Sequence, residues 1–511
     1  MLAKVKTCCI YGLTATDIEV EVDINNGLPV INIVGLPDIS LKESKERVRA
    51  AISNSGLEFP LRRITVNLAP ADTKKEGTHF DLPITLGVLA ASGQINLEKF
   101  SQILVLGELS LDGRINRVNG VLPMLLEMYN MGFHQVILPK GNMEEAKLVN
   151  GMECIGVESL KELVGFIKGE IQLGVHRNCN VQNWKEIEYD LDFRDLKGQD
   201  NLKRGLEIVA AGCHNLLMIG PPGSGKTMAA RRLPSILPKL TMDEAMEITK
   251  IYSIAGLLEE DKGLITQRPF RSPHHTASMV ALTGGGRIPK PGEVSLSHNG
   301  VLFLDELPEF TRNTLEVLRQ PLEDGSVTIS RVSASFTYPA KFMLVASMNP
   351  CPCGYFNTTE NGYSCSCTPQ QINRYVGKVS GPLLDRMDIV VETTAVTYDE
   401  LISNKEAESS AIIRKRVEKA RQRQLERYKG TKFTFNSQLN SSALKKYCIL
   451  DSKTQNLLSS AFEKMKLSAR GYNRIIKISR TIADLNDSDI IKTDHLLEAL
   501  QYRQNNNLMW R

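Results

Sequence analysis

Residues 215–227 read NLLMIGPPGSGKT, an apolar run that breaks into a glycine-rich turn and ends on a lysine and a threonine. The apolar run has the length of a buried strand, and the segment after the turn reads as a helix. Gly220, Pro221, Pro222, Gly223, Ser224, Gly225, Lys226 and Thr227 match the phosphate-binding loop G-x-x-x-x-G-K-[ST] in the strand-to-helix setting that its mechanism demands. The glycines let backbone N–H groups approach phosphates, and Lys226 reaches the β and γ oxygens. The Thr227 hydroxyl ligates Mg²⁺, and the helix N-terminus favours the anion. The cofactors implied are ATP and Mg²⁺. A plain glycine-rich turn is the alternative, and the adjoining lysine and threonine speak against it.

Working outward, the chain alternates a helix near 199–212, the strand ending at Gly220, a helix from Gly225, and the strands VLFLDE and FMLVAS. That order predicts a parallel sheet covered by helices, an α/β fold. VLFL runs into Asp305 and Glu306, two carboxylates at a buried strand end. Asp305 can hold Mg²⁺ through its water, and Glu306 can polarise the attacking water. FMLVAS ends in Met348-Asn349-Pro350, at the sheet edge where ligands of open α/β sheets bind. Asn349 either orients the lytic water or caps the turn before Pro350. Arg386, in LLDRMD, reads as an arginine finger directed at a neighbour's nucleotide, or as a surface partner of Asp385 or Asp388.

At 511 residues the chain exceeds one hydrophobic core, so two to four domains are expected. With 42% hydrophobic and 23% charged residues it has the composition of an ordinary globular protein. No stretch approaches the ~18 apolar residues of a membrane span. The start MLAKVKTCCIYGL is too quickly polar for a secretory signal, so a cytoplasmic location without membrane partners is expected. The net charge of +4 decides nothing about nucleic acid.

Residues 1–172 read as a mixed α/β domain. IEVEVDI (18–24) alternates at period two, ITVNLAP (64–70) is a further strand, and Ser40 with Glu43 forms a capping box for a helix running to Gly56. Residues 173–195 are a polar linker, 196–397 the nucleotide-binding core, and 398–511 a helical region. That region opens with IIRKRVEKARQRQLERYK (412–429), followed by two or three more amphipathic helices. The basic run is either a solvated helix face or a surface that tracks DNA.

Four of the ten cysteines, Cys351, Cys353, Cys365 and Cys367, form two C-x-C pairs. Four thiolates on a short loop fit a tetrahedral structural Zn²⁺, with each pair one residue tighter than the usual spacing. Free thiols are the other reading.

Together GPPGSGKT, VLFLDELPEF, LVASMNPCPCG, GPLLDRMD and SARGYNRIIKISRTIADL resemble the magnesium-chelatase-like AAA+ family, most closely its ComM/YifB-type members, over essentially the whole chain. The resemblance implies an AAA+ P-loop sheet with a helical lid. It also implies a β-hairpin before the sensor strand, within SVTISRVSASFTYP, where Arg331 is either a DNA phosphate contact or an exposed hairpin residue. Arg470 falls at the second sensor position, with Arg474 one turn later as runner-up. GELSLDGRINRVNGVLPMLLEMYNMGFHQVILPK and KKEGTHFDLPITLGVLAASG resemble the proteolytic domain of Lon. His79 and Leu122 stand where its Ser-Lys dyad would be, so an inactive Lon-protease-like domain is implied. His274 and His275 are a hallmark of the family, with metal binding, DNA binding and core packing all open.

The function implied is that of a homo-hexameric, ATP-driven DNA translocase and helicase. It would promote branch migration of recombination intermediates during natural transformation, with single-stranded and branched DNA and recombination proteins as partners. A magnesium-chelatase-like metal-insertion motor and a protein-remodelling motor are the competing readings.

Overall fold

A computed structural model describes residues 2–177, 189–286, 289–330, 335–357, 364–394 and 407–508. They form two compact units. The first comprises Met1–Lys185, Met242–Ile265 and Ser330–Tyr338, and the second Glu186–Thr241, Thr266–Ile329 and Pro339–Arg511. Met242–Ile265, inside the span read as one continuous core, therefore groups with the N-terminal unit.

The first unit carries an eight-stranded sheet. Its order is Val175–Arg177, Glu153–Val157, Gln135–Pro139, Leu104–Val105, Leu2–Tyr11, Thr14–Asn25, Arg63–Ala69 and Val30–Val34. The period-two pattern does what it predicts. Ile18, Val20, Val22 and Ile24 are buried, while Lys4 on the antiparallel neighbour reaches Glu19 and Glu21, each at 3.0 Å, on the other face.

The first long helix is Ile39–Asn54, and its cap differs from the expected one. Asp38 caps it, accepting from the Leu41 N–H at 2.9 Å, while the Ser40 hydroxyl donates to Asp38 at 2.7 Å. An ionised carboxylate at the N-terminus is a stronger acceptor than a hydroxyl, and it also meets the positive end of the helix dipole. Helix Met242–Ala255 packs on helix Val121–Asn130 within this unit, where the Gly120 N–H donates to Ser253 O at 3.1 Å. His79 is buried with a ring nitrogen 2.9 Å from Cys8 O, and burial pushes its imidazole down to about 4. Leu122 is fully buried. Both positions serve packing.

The second unit is built on a five-stranded, all-parallel sheet ordered Phe270–Arg271, Val301–Leu304, Met343–Met348, Leu216–Ile219 and Ile389–Glu392. The three central strands are buried on both faces, which is why they read as unbroken apolar runs. The α/β fold read from the sequence is the fold observed. Two short strands, Ser326–Ser330 and Ser335–Pro339, fall within the span of the expected hairpin, and Arg331 lies outside the described residues.

Among the described residues, the C-terminal region has the α-helices Ser410–Arg427, Ser441–Tyr447, Ser452–Lys464, Ala469–Leu485 and Thr493–Leu508. The basic run lies on the first, and most of its eight cations are engaged within the protein. Arg416 meets Glu207 at 2.5 Å, Arg427 meets Asp484 at 2.9 Å, Lys419 and Arg423 bond Asp487 and Asp489, and the Arg421 guanidinium lies 3.6 Å from the Phe435 ring centroid. The run braces the helical region, and most of its charge is engaged there. Among the described residues, no helix is long and apolar enough to cross a membrane.

Candidate nucleotide site

Strand Leu216–Ile219 delivers the chain to the glycine-rich loop, where Gly223 and Gly225 adopt φ of 75° and 80°. Those left-handed angles favour glycine, and the space around both α-carbons is open. Helix Lys226–Arg232 comes directly after the loop. The Lys226 ammonium is buried and donates to Gly220 O and Pro221 O at 2.8 Å, with Ser224 Oγ and Asn349 Oδ1 at 3.3 Å. Burial pulls its pKa down to about 8, opposed by the nearby Asp305 carboxylate.

The parallel register lines up the ends of three strands. The Thr227 hydroxyl donates to Asp305 Oδ2 at 2.7 Å, and the Ser347 hydroxyl donates to the other Asp305 oxygen. Thr227 and Asp305 thus present hard oxygen ligands side by side, the donor set that suits Mg²⁺. Glu306 stands next to them with a left-handed φ of 52° and a side chain 61% exposed. Glu306 and Asn349 border a cavity of about 570 Å³ together with Arg374, Tyr375 and Lys378. Lys226, Thr227, Asp305, Glu306 and Asn349 therefore converge on one edge of the sheet. They can cradle a polyphosphate, hold a divalent cation and face a water.

Arg386 and Arg470 converge elsewhere. Asn215, which precedes the first residue of its strand, donates its side-chain amide to Arg386 O at 3.0 Å, so Arg386 lies at the opposite strand ends from Gly220. Five residues of extended chain separate those ends by roughly 16 Å. Arg386, Arg470, Arg474 and Lys477 line a cavity of about 600 Å³ there, beside Asn215, Gly300 and Met343. Arg386 pairs with Glu323, and among the described residues its Nε has no hydrogen-bond partner. Burial and the neighbouring Arg470, Arg319 and Arg474 hold it below its ordinary value. Arg474 is built in: it is buried, donates to Met387 O at 3.0 Å and to Asp385 O, and lies 3.3 Å from Asp388. Arg470 is exposed.

The four clustered cysteines meet as their spacing predicts, with all Sγ atoms within 4.8 Å of one another. Cys351 to Cys353, Cys353 to Cys365 and Cys351 to Cys365 measure 3.3, 3.6 and 3.7 Å. Zn–S bonds of about 2.3 Å at a tetrahedral centre set S···S distances of about 3.8 Å, so the cluster can hold a metal ion. A backbone hydrogen bond from Tyr355 leads the effects that pull the Cys353 thiol down to about 6.

Three features escape a sequence reading. A Cβ on Gly354, next to Cys353, would stand 2.5 Å from Pro222 Cδ, so the cysteine loop abuts the phosphate loop. Thr393, beyond the last strand, shares a 2.8 Å hydrogen bond with Ser224. The His275 ring reaches Glu306 at 3.6 Å. None has a motif, because each is a contact between segments far apart in the chain.

Comparison with known proteins agrees with this architecture. "Magnesium chelatase, subunit ChlI" matches residues 192–401, "Subunit ChlI of Mg-chelatase" residues 20–142, and "Magnesium chelatase, subunit ChlI C-terminal" residues 407–503. The chain is 44% identical over 509 residues to "Uncharacterized protein YifB" of Escherichia coli, covering 99% of this chain and 98% of that one. It is 44% identical over 507 residues to "Competence protein ComM" of Haemophilus influenzae, covering 98% and 97%. Similarity to the "Magnesium-chelatase 67 kDa subunit" of Chlorobaculum parvum is 26% over 208 residues, 40% of this chain and 27% of that one. With its phosphate loop, its parallel sheet and two relatives matched end to end, the chain belongs to the magnesium-chelatase-like AAA+ family, in its ComM/YifB type.

Proposed function

We propose that this protein hydrolyses ATP as a homo-hexameric ring and couples turnover to movement along DNA, promoting branch migration of recombination intermediates in the cytoplasm. One observation carries the ring. Lys226, Thr227, Asp305, Glu306 and Asn349 gather at one edge of the sheet, whereas Arg386 and Arg470 gather roughly 16 Å away at the other. A chain cannot bring its own Arg386 to its own phosphate loop, but a neighbour in a head-to-tail ring can. The arginine-lined cavity favours a polyanion, as a nucleotide on an adjoining subunit would supply.

In this reading, bound Mg²⁺ neutralises phosphate charge. Lys226 orients the β and γ phosphates, Glu306 accepts a proton from the attacking water and Asn349 positions that water. Arg386 and Arg470 complete the charge stabilisation from the next subunit.

DNA as the cargo, and natural transformation as the setting, rest on end-to-end similarity to the competence protein ComM. The competing metal-insertion motor is supported by the family matches to magnesium chelatase subunit ChlI, which both readings share, and by the shorter, weaker match to the chelatase 67 kDa subunit. ATP turnover with and without single-stranded and branched DNA, alongside strand displacement on a four-way substrate, separates them. Stimulation by DNA together with displacement is expected. Absence of both overturns the translocase.

Zinc is proposed as the metal of Cys351, Cys353, Cys365 and Cys367, where it would stiffen the loop that abuts Pro222. Elemental analysis is expected to return one zinc per chain, and stripping it with a chelator is expected to weaken ATP turnover. Protein that carries no zinc and ignores chelators rules the metal out.

A further inference from the structure

His214 and Asn215 carry the chain from helix Asp200–Gly212 into strand Leu216–Ile219, which leads straight to the phosphate loop. Proximity in sequence would tie His214 to that loop. The backbone turns it elsewhere. Cys213 takes a left-handed φ of 56°, which few residues other than glycine adopt, and the His214 ring folds back against the end of its own helix. A Cβ on Gly212 would run into both the ring and the Thr481 hydroxyl, so the imidazole fills a space that only glycine leaves open. His214 is fully buried, a titratable side chain that the proposed hydrolysis does not use.

Its two nitrogens face different parts of the protein. Nε2 lies 2.8 Å from the Thr481 hydroxyl, on the helix Ala469–Leu485 that also carries Arg470 and Arg474. Nδ1 faces Asp388 Oδ2 at 3.6 Å, at the end of the turn that carries Arg386. That turn is held residue by residue. Arg474 donates to Asp385 O and Met387 O, and the Asn215 side chain donates to Arg386 O. The Asp388 carboxylate accepts from the Asn215 N–H at 3.0 Å and lies 3.3 Å from Arg474. Burial works against its charge, and His214 and Arg474 outweigh burial, holding the carboxyl below its ordinary range.

Arg474 and Thr481 stand two helical turns apart on one face of the helix. The turn is thus clamped to the helix at two points, and His214 makes the second. One point of attachment leaves a rotation free, whereas two remove it. Arg386 and Arg470 line the same cavity and carry like charges, so their spacing has to be imposed by the scaffold around them.

We propose that His214 is a positioning residue that locks the Arg386 turn to the Arg470 helix, so that both guanidiniums reach the neighbouring subunit's nucleotide as one rigid pair. The inference rests on the reading of Arg386 and Arg470 as acting across the subunit boundary. It assigns His214 to the neighbour's nucleotide, although its own phosphate loop is the nearer in sequence.

The test is steady-state ATP turnover by the full chain, first unmixed and then in mixed rings. His214→Ala is expected to lower kcat about tenfold, the factor that one ordinary hydrogen bond commands, with KM for ATP unchanged. Thr481→Val, which removes the hydroxyl on the helix side, is expected to do the same, and Thr481→Ser to restore the rate. Mixed with Lys226→Ala chains, His214→Ala chains are expected to regain about a quarter of the wild-type rate, because an intact phosphate loop then meets an intact arginine pair. Mixed with Arg386→Ala chains they are expected to regain nothing, because both defects lie on the same side of the interface.

Recovery with Arg386→Ala and none with Lys226→Ala overturns the proposal and places the effect of His214 on its own phosphate loop. Recovery with neither overturns it as well, as the mark of a general structural loss, and so does a kcat for His214→Ala equal to wild type. Thr481→Val puts the same questions should His214→Ala fail to fold. Failure of the underlying reading looks different: Lys226→Ala and Arg386→Ala chains then fail to restore one another.

Discussion

Lys226→Ala is expected to cut ATP turnover by about 10²–10³-fold, equivalent to about 3–4 kcal/mol of lost transition-state stabilisation. The expectation comes from where the ammonium sits. It is buried, its carbonyl acceptors Gly220 O and Pro221 O belong to the loop itself, and it touches Asn349 across the site. Burial disfavours its charge, drawing it down to about 8, so a triphosphate arriving in the loop meets a group whose positive form it strongly stabilises. No neighbouring cation on the loop can take over. Steady-state turnover with a coupled phosphate assay reads the loss, and a thermal melt separates it from unfolding, because the two carbonyls also lose their donor. Turnover within tenfold of wild type in a folded variant would mean that ATP is hydrolysed elsewhere.

The second large effect is on Arg386. Arg386→Ala is expected to lower turnover by about 10³-fold while leaving ATP binding intact, the signature of a residue that acts on the transition state from another subunit. Its backbone is tied to Asn215 at the strand ends remote from Gly220, which puts its own nucleotide out of reach. Mixing makes the prediction sharper. Combining Lys226→Ala chains with Arg386→Ala chains pairs an intact phosphate loop with an intact arginine at about a quarter of the interfaces of a random ring. Two inactive preparations are therefore expected to recover activity together. Mixed rings that stay inactive would return Arg386 to the structural role suggested by its pairing with Glu323.

Much of this was legible in the chain because the chemistry is local. GPPGSGKT specifies its loop through two glycines that need left-handed angles and through a lysine and threonine adjacent in sequence. The strands VLFL and FMLVAS announce their burial by being apolar on both faces. The C-x-C pairs are close in sequence and so are close in space. Asp38 outcompeted Ser40 as a cap because a charged acceptor at a helix N-terminus is the stronger one. The basic run at 412–429 looked free because its partners, Glu207, Asp484, Asp487 and Asp489, are distant in the chain.

By itself, then, the sequence determined the family, the α/β core and the motifs whose side chains gather at one edge of its sheet, since each is encoded in a short stretch with its own chemistry. Only the tertiary structure decided how those stretches are grouped. It set Arg386 and Arg470 at the far strand ends from Lys226, laid Gly354 against Pro222, carried Met242–Ile265 into the N-terminal unit and brought His275 to Glu306. Strand order and register fix those distances, and both arise from packing across the whole sheet, which no single stretch contains.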